Sequence, residues 1–233
     1  MLGSQSDAGF LTPASKYCRN TEVAVVKENR QRIRSFLADD KIQITFRYAI
    51  WNVTVKLREI EEILKSESDR MVISYITSRI KTPDSVMEKL TRKEKKVTWE
   101  SALQNLNDIV GIRAVCLFEE DIYRIRDYFY KQDDIHVIKE KDFIKKPKTS
   151  GYRSLHLILE VPVTCMERET YVRVELQLRT MAMDFWSVLE YQLQYKKKNE
   201  KVRAAQEQLK ECAEDIKDIE EKMYDLKLLI DRM

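Results

Sequence analysis

Residues Ile109 to Phe118 form an almost continuous apolar run, broken only by Gly111 and Arg113. A strand with one wet face alternates, so an unbroken apolar run of this length reads as a strand buried on both faces. Such a strand needs layers on each side of it, which predicts a sheet flanked by helices. Tyr171 to Arg179 shows the contrasting pattern. Val172, Val174, Leu176 and Leu178 face one way, and Tyr171, Arg173, Glu175, Gln177 and Arg179 the other.

Other segments follow the same logic. Helical patterns cover 21–38 and 43–66, the second with Phe46, Ile50, Val53, Leu57, Ile60 and Leu64 on one stripe. Val72 to Lys81 is rich in β-branched residues and reads as a strand. A helix then starts with Thr82 as its N-cap and Pro83 at its first position. A short helix is expected over 98–106, another over 119–131, and strands near 135–143, 154–162 and 170–179. The fold class is therefore α+β: a mixed sheet of about five strands flanked by helices, with helical extensions at both ends. No Gly/Ser linker divides the chain. Residues 21–198 read as one catalytic unit, preceded by a polar 1–20 segment expected to be disordered. Residues 199–233 read as an amphipathic helix for oligomerisation. There Val202, Ala205, Leu209, Cys212, Ile216, Ile219, Met223, Leu226 and Ile230 keep 3–4 spacing. That stripe suits a subunit seam or an intrachain helical hairpin equally.

Composition closes off several functions. A net charge of +3 in 233 residues is too small for a general nucleic-acid binder, so any attraction for phosphate is local. The four cysteines are scattered without a C-x-x-C, as reduced thiols are in a cytosol. Met1 to Ser15 has no apolar core of a signal peptide and no run reaches the length of a membrane span, which predicts a cytoplasmic protein. Two histidines, His136 and His156, cannot build a multi-histidine metal cluster, and neither G-x-x-x-x-G-K-[ST] nor G-x-G-x-x-G occurs.

Chemistry concentrates elsewhere. Arg79 and Lys81 share one strand face, and Ser85 and Lys89 lie one turn apart at the start of the next helix, where free N–H groups favour an anion. A polyphosphate suits that arrangement; a solvated basic face is the plainer alternative. Arg113 inside an apolar run needs a carboxylate, a phosphate or an aromatic partner. It is either a structural ion pair or a cation stacked on a base. On a regular strand Asp108 and Arg113 point to opposite faces, so they share a site only if Gly111 bulges the strand or Asp108 lies just off it. Lys145, Lys146 and Lys148 lead into Gly151, which allows a tight turn, and Tyr152, which offers a ring face to a base.

In order along the chain stand Arg79-Ile-Lys81 with Ser85 and Lys89, Asp108-Ile-Val-Gly-Ile-Arg113, Pro147-Lys-Thr-Ser-Gly-Tyr-Arg-Ser-Leu-His156 and Glu175-Leu-Gln-Leu-Arg179. Together they resemble the synthetase domain of the RelA/SpoT superfamily, the (p)ppGpp or alarmone synthetases, over about Trp51 to Lys198. Lacking a histidine–aspartate hydrolase domain and a long regulatory C-terminal half, the chain looks like a small alarmone synthetase. The resemblance implies a nucleotidyltransferase-like fold and transfer of the β,γ-pyrophosphate of ATP to the ribose 3′-OH of GDP or GTP (or GMP), with release of AMP. It implies that Arg79 and Arg113 clamp adenine and that Lys81, Ser85 and Lys89 hold the ATP phosphates. Asp108 and Glu175 would bind Mg²⁺, with Glu175 also drawing the proton from the 3′-hydroxyl. Tyr152 would stack on guanine, with Lys145, Lys148 and His156 at the acceptor phosphates and Gln177 beside them on the acceptor side. The terminal helices would join a homotetramer.

Two positions depart from the family pattern. Members often carry Asn in the segment that reads Ala182-Met-Asp184-Phe-Trp186 here, and Glu-His where this chain has Glu190-Tyr191. Trp186, Leu189 and Leu193 read as core by their helical spacing. Two other functions compete with the synthetase: a toxin-like relative that pyrophosphorylates the tRNA 3′ end, and a non-catalytic nucleotide- or RNA-binding regulator. The balanced charge argues against the first and the presence of Asp108, Tyr152 and Glu175 against the second.

Overall fold

The computed structural model describes residues 13–165, 168–194 and 201–232, with side chains over 26–164, 169–193 and 206–232. Its elements are, in chain order, α1 (Pro13–Ala38), α2 (Asp40–Ser68), β1 (Ile73–Ile80), α3 (Pro83–Arg92), α4 (Trp99–Asn105), β2 (Val110–Cys116), α5 (Glu119–Tyr130), β3 (His136–Asp142), β4 (Leu155–Cys165), β5 (Arg168–Thr180), α6 (Met181–Gln194) and α7 (Lys201–Ile230). Every element expected from the sequence is present, within a few residues except at the start of α1. That helix begins at Pro13, a residue preset for a first helical position, and so starts within the 1–20 segment. Residues 1–12 lie outside the described residues.

Two compact units result, one of residues 1–42 and 82–106, the other of 43–81 and 107–233. In the first, α1, α3 and α4 pack on one another: Phe36 stacks on Trp99 at 3.8 Å, and Arg34 pairs with Asp84 at 3.0 Å. Thr82 caps α3 by accepting from Ser85 N, with Pro83 behind it, and Thr98 caps α4 the same way.

The second unit is built on a five-stranded sheet of order β1-β2-β5-β4-β3, in which β2 and β5 run parallel and the other neighbours antiparallel. One face is apolar across the three central strands, with Val110, Ile112, Ala114, Val174, Leu176, Leu178, Leu155, Leu157, Leu159 and Val161 all buried. Ile122, Ile125 and Phe129 of α5 and the α2 stripe from Phe46 to Leu64 supply further core. Ala49, not Ile50, holds the buried place on that stripe, because 3.6-residue geometry carries Ile50 to its margin.

α6 buries Met183 and Trp186 but leaves Leu189 and Leu193 exposed, so only the first turns of that expected stripe are core. α7 packs on α6 within the same chain, through Leu209, Ala213 and Ile216. It turns part of its predicted seam outward: Ile219, Met223, Leu226 and Ile230 are all more than half exposed. The helix thus has two apolar stripes, one for its own unit and one left at the surface. No helix among the described residues is long and apolar enough to cross a membrane.

Candidate active site

Two rows of paired residues cross the polar face of the sheet. One runs Arg79, Gly111, Glu175, Ile158, Lys139; the next runs Thr77, Arg113, Gln177, His156, Lys141. Gly111 leaves a gap in its row between Arg79 and Glu175, and an added Cβ would stand 3.7 Å from Arg79 Cγ and Nε. The gap opens a cleft of about 190 Å³ lined by Arg79, Gly111, Arg113 and Gln177 among others. Arg79 and Arg113 are diagonal neighbours on β1 and β2, a relation that sets backbones about 7–8 Å apart.

Asp108 lies ahead of Val110, the first residue of β2, and the register through Gly111 is regular. The acid therefore sits off the regular strand, and Gly111 makes no bulge. Lys81 N donates to Ile109 O at 2.7 Å, which carries the β1–β2 pairing one step further. Lys81 Nζ then donates to Asp108 Oδ2 at 2.8 Å, and both side chains are largely buried.

Glu175, also buried, anchors a chain of polar contacts. Gln177 Nε2 donates to its Oε2 at 2.8 Å, and His156 Nδ1 stands 3.4 Å from its Oε1. His156 Nε2 is 2.7 Å from the Tyr152 hydroxyl, which accepts from Arg179 Nη2 at 2.8 Å. With its oxygen taken by the guanidinium, Tyr152 gives its proton to His156 Nε2, and this bonding pattern assigns the imidazole proton to Nδ1, facing Glu175. Burial pushes the His156 pKa down, against the opposing pull of Glu175, and the ring is neutral at pH 7. Arg179 Nη1 and Arg113 Nη1 both reach Asp184 Oδ1 at 3.0 Å, and Tyr75 donates to Oδ2 at 2.7 Å. Burial and the Asp184 carboxylate hold the Tyr75 hydroxyl up at about 12.

Several expected site residues therefore come together: Arg79, Arg113, Glu175, Gln177 and His156 stand on two adjacent rows, Tyr152 bonds His156 and Lys148 lies over the Tyr152 ring, while Lys81 and Asp108 pair with each other at the ends of their strands. Arg113 has a carboxylate partner, Asp184, as an arginine in an apolar run requires. Three expectations change in detail. His156 does not face outward towards a phosphate; it is 7% exposed with both ring nitrogens engaged. Tyr152 does not present an open ring. Lys148 Nζ lies 4.3 Å and Arg179 Cζ 5.1 Å from its centroid, with Phe143 and His156 edge-on. Lys145 is not part of the cluster. Asp142 accepts from the backbone N–H of Ile144 and Lys145, a local turn that aims the Lys145 ammonium at Asp142 and at the Tyr123 ring. Ser85 and Lys89 lie on α3 of the first unit, with Ser85 Oγ bonded to Thr82 Oγ1.

Sequence reasoning passed over Lys141, Asp184 and Glu190. Lys141 takes the row position beside His156, and alternation along β3 was its signal. Asp184 sits between Met183 and Phe185, and a carboxylate in an apolar turn needs buried cations just as Arg113 needs an acid. Burial raises the Glu190 pKa while Lys148 and Arg179 act against it, which places its carboxyl near the same cations.

Comparison with known proteins agrees with this face. Residues 78–200 match the family described as the region found in RelA / SpoT proteins. GTP pyrophosphokinase YwaC of Bacillus subtilis is 40% identical over 159 residues, spanning 68% of this chain and 76% of that relative. The crystal structure of small alarmone synthetase 1 from Bacillus subtilis bound to its product pppGpp superposes with a TM-score of 0.72 at 32% identity, covering 81% of this chain and 95% of that one. The same relative bound to AMPCPP gives 0.67 at 30%, covering 82% and 96%. The four sequence motifs, the sheet face that carries residues of each and these likenesses have one reading: the chain belongs to the RelA/SpoT family of alarmone synthetases.

Proposed function

We propose that this protein is a GTP pyrophosphokinase that moves the β,γ-pyrophosphate of ATP to the ribose 3′-oxygen of GDP or GTP. The observation that carries this reading is the row Arg79–Gly111–Glu175. It sets an arginine and a buried carboxylate on either side of a single glycine, at the edge of the cleft lined by Arg79, Arg113 and Gln177. Relatives that the chain matches over most of its length are named for this activity.

The parts then divide by substrate. Arg79 and Arg113 hold the adenine between their planes, with Asp184 fixing the second guanidinium. Lys81, Ser85 and Lys89 take the ATP phosphates. On the acceptor side, guanine takes the Tyr152 face when the Lys148 ammonium moves off the ring towards the acceptor phosphates, where Lys141 adds a second cation. Desolvation already lowers the Lys148 pKa, so a phosphate partner would favour its charged form. Glu175 takes the 3′-hydroxyl proton. The freed oxygen bonds to the β-phosphorus, and the bond from that phosphorus to the α-bridging oxygen breaks, releasing AMP. His156 and Gln177 hold the two Glu175 oxygens in place for that step.

Asp108 and Glu175 fit a magnesium ion: both are buried carboxylates, and Mg²⁺ takes one or two of these and fills its remaining positions with water and phosphate oxygens. No group of three or more acidic, histidine or cysteine ligands occurs among the described residues, as a closed protein cage would need. When bound, the ion would neutralise charge between donor and acceptor phosphates. The exposed α7 stripe of Ile219, Met223, Leu226 and Ile230 supports assembly into the homotetramer that the family resemblance implies, in the cytoplasm.

The test is to incubate the protein with ATP labelled in its γ-phosphate and, separately, with GMP, GDP, GTP or tRNA. AMP release with the label on a guanosine 3′ position supports the reading. Label on tRNA alone would replace the acceptor assigned here, and no transfer to any of them would leave a binding protein.

A further inference from the structure

The C-terminal helix carries a carboxylate to the back of the acceptor side. Glu220 of α7 accepts from Arg153 Nη1 at 2.9 Å through Oε2 and from the Thr180 hydroxyl through Oε1. Arg153 directly follows Tyr152, and Thr180 directly follows Arg179. Tyr152 and Arg179 are themselves bonded across the site. One carboxylate therefore ties together the two backbone positions that carry this pair.

Thr180 does a second job. It is 1% exposed, and its oxygen accepts from Met183 N at 3.1 Å, which caps α6. Because the hydroxyl proton goes to Glu220, the lone pair is left for the helix. Asp184 is the next residue on that helix, and it holds Arg113, Arg179 and Tyr75. Two further contacts press α7 against the same loop. Ala213 faces Gly151 so closely that a Cβ on the glycine would stand 2.7 Å from it, and Trp186 Nε1 donates to Leu209 O at 2.8 Å.

We infer that Glu220 is a positioning residue for the guanosine nucleotide: it sets the spacing of Tyr152 and Arg179 through Arg153 and Thr180, making α7 part of the acceptor site. This rests on the reading that Tyr152 receives guanine. Glu220 touches no substrate, so its loss acts on acceptor geometry and not on ATP.

The experiment compares Glu220→Gln with the wild type and with Glu221→Gln, which removes a neighbouring acid paired with exposed Lys217. Gln keeps the volume but puts an N–H₂ against one of the two donors. Loss of one charge-assisted bond of this kind corresponds to about a tenfold change. The expected result is a GDP KM raised about tenfold in Glu220→Gln, an ATP KM within twofold of wild type, and neither changed in Glu221→Gln. Glu220→Asp is the second variant, should the first not fold: it keeps the charge but is too short to hold both donors, and is expected to split the two KM values in the same direction. GDP and ATP KM values that rise together, or a GDP KM that stays put in both variants, would overturn the inference. Should the wild type release no AMP, the functional reading fails separately, and calorimetric GDP affinity of Glu220→Gln then decides the positioning role: unchanged affinity sinks it, weakened affinity supports it.

Discussion

Removing the Asp184 carboxylate is the most revealing perturbation of the fold at this site. Its side chain is almost wholly buried and receives Arg113 and Arg179 on one oxygen and Tyr75 on the other. Asp184→Ala removes all three bonds and leaves Arg179, 4% exposed, without its counter-charge. Breaking a buried ion pair from one side costs about 3–5 kcal/mol. Asp184→Asn is different. Its Oδ1 can still accept from both guanidinium groups, and the Tyr75 hydroxyl can turn to accept from the new amide. Only the charge is lost. At an effective dielectric constant near 20, a pair at about 4 Å is worth roughly 4 kcal/mol. Much of that is offset because an ionised carboxylate no longer has to be desolvated, so about 1–2 kcal/mol remains. Urea denaturation at pH 7 should therefore rank the proteins wild type, Asn, Ala, with Asn nearer the wild type. Spectrophotometric titration gives a second reading: the tyrosine held at about 12 by burial and by Asp184 should titrate at lower pH in the Asn variant. Equal losses in Asn and Ala, or a loss below about 1 kcal/mol in Ala, would refute the claim that this carboxylate organises the arginines.

Two further predictions concern the acceptor loop. Gly151 has φ +90° and faces Ala213, so Gly151→Ala meets both a left-handed backbone penalty and an overpacked contact. A loss of about 2–4 kcal/mol in the denaturation midpoint is expected, with faster proteolysis of α7; a change under about 0.5 kcal/mol would contradict the packing described. His156 binds its proton less readily in the folded protein than at its ordinary value of 6.5. Above that pH it is neutral in both states and adds no pH dependence. As pH falls below 6.5 the unfolded chain takes up a proton that the folded one resists, so stability should fall, by at most about 1.4 kcal/mol per pH unit from this group. His156→Gln should flatten that slope, measured by denaturation between pH 7 and 5; an unchanged slope would show that His156 does not cause it.

Much of this architecture was legible in the sequence because burial imposes a period. The apolar run through β2, the alternation of β5 and the cap Thr82 each follow from local rules, and the structure keeps all of them. Periodicity says which face a side chain takes and not whom it meets. Arg113 visibly needed a partner, yet Asp184 lies on α6, far along the chain, with nothing local to link the two. His156 falls on the polar face, as alternation implies, but only tertiary packing of Tyr152 and Glu175 around it makes that position dry. Lys145 and Lys148 look equivalent in a basic loop until the Asp142 turn sends one of them aside. The α7 stripe shows the same limit: one 3–4 pattern covers both buried and exposed residues, and spacing could not say which turned inward.

Glu175→Gln gives the most direct measurement of the site. The amide keeps the shape and an acceptor for Gln177, yet can neither take the 3′-hydroxyl proton nor offer a charged oxygen to magnesium. AMP release in the presence of ATP, GDP and Mg²⁺ should drop by at least about a hundredfold, the low end of what a positioned general base contributes, while GDP affinity measured by calorimetry stays within a few-fold of wild type. Transfer at near wild-type rate would place the chemistry elsewhere on the protein.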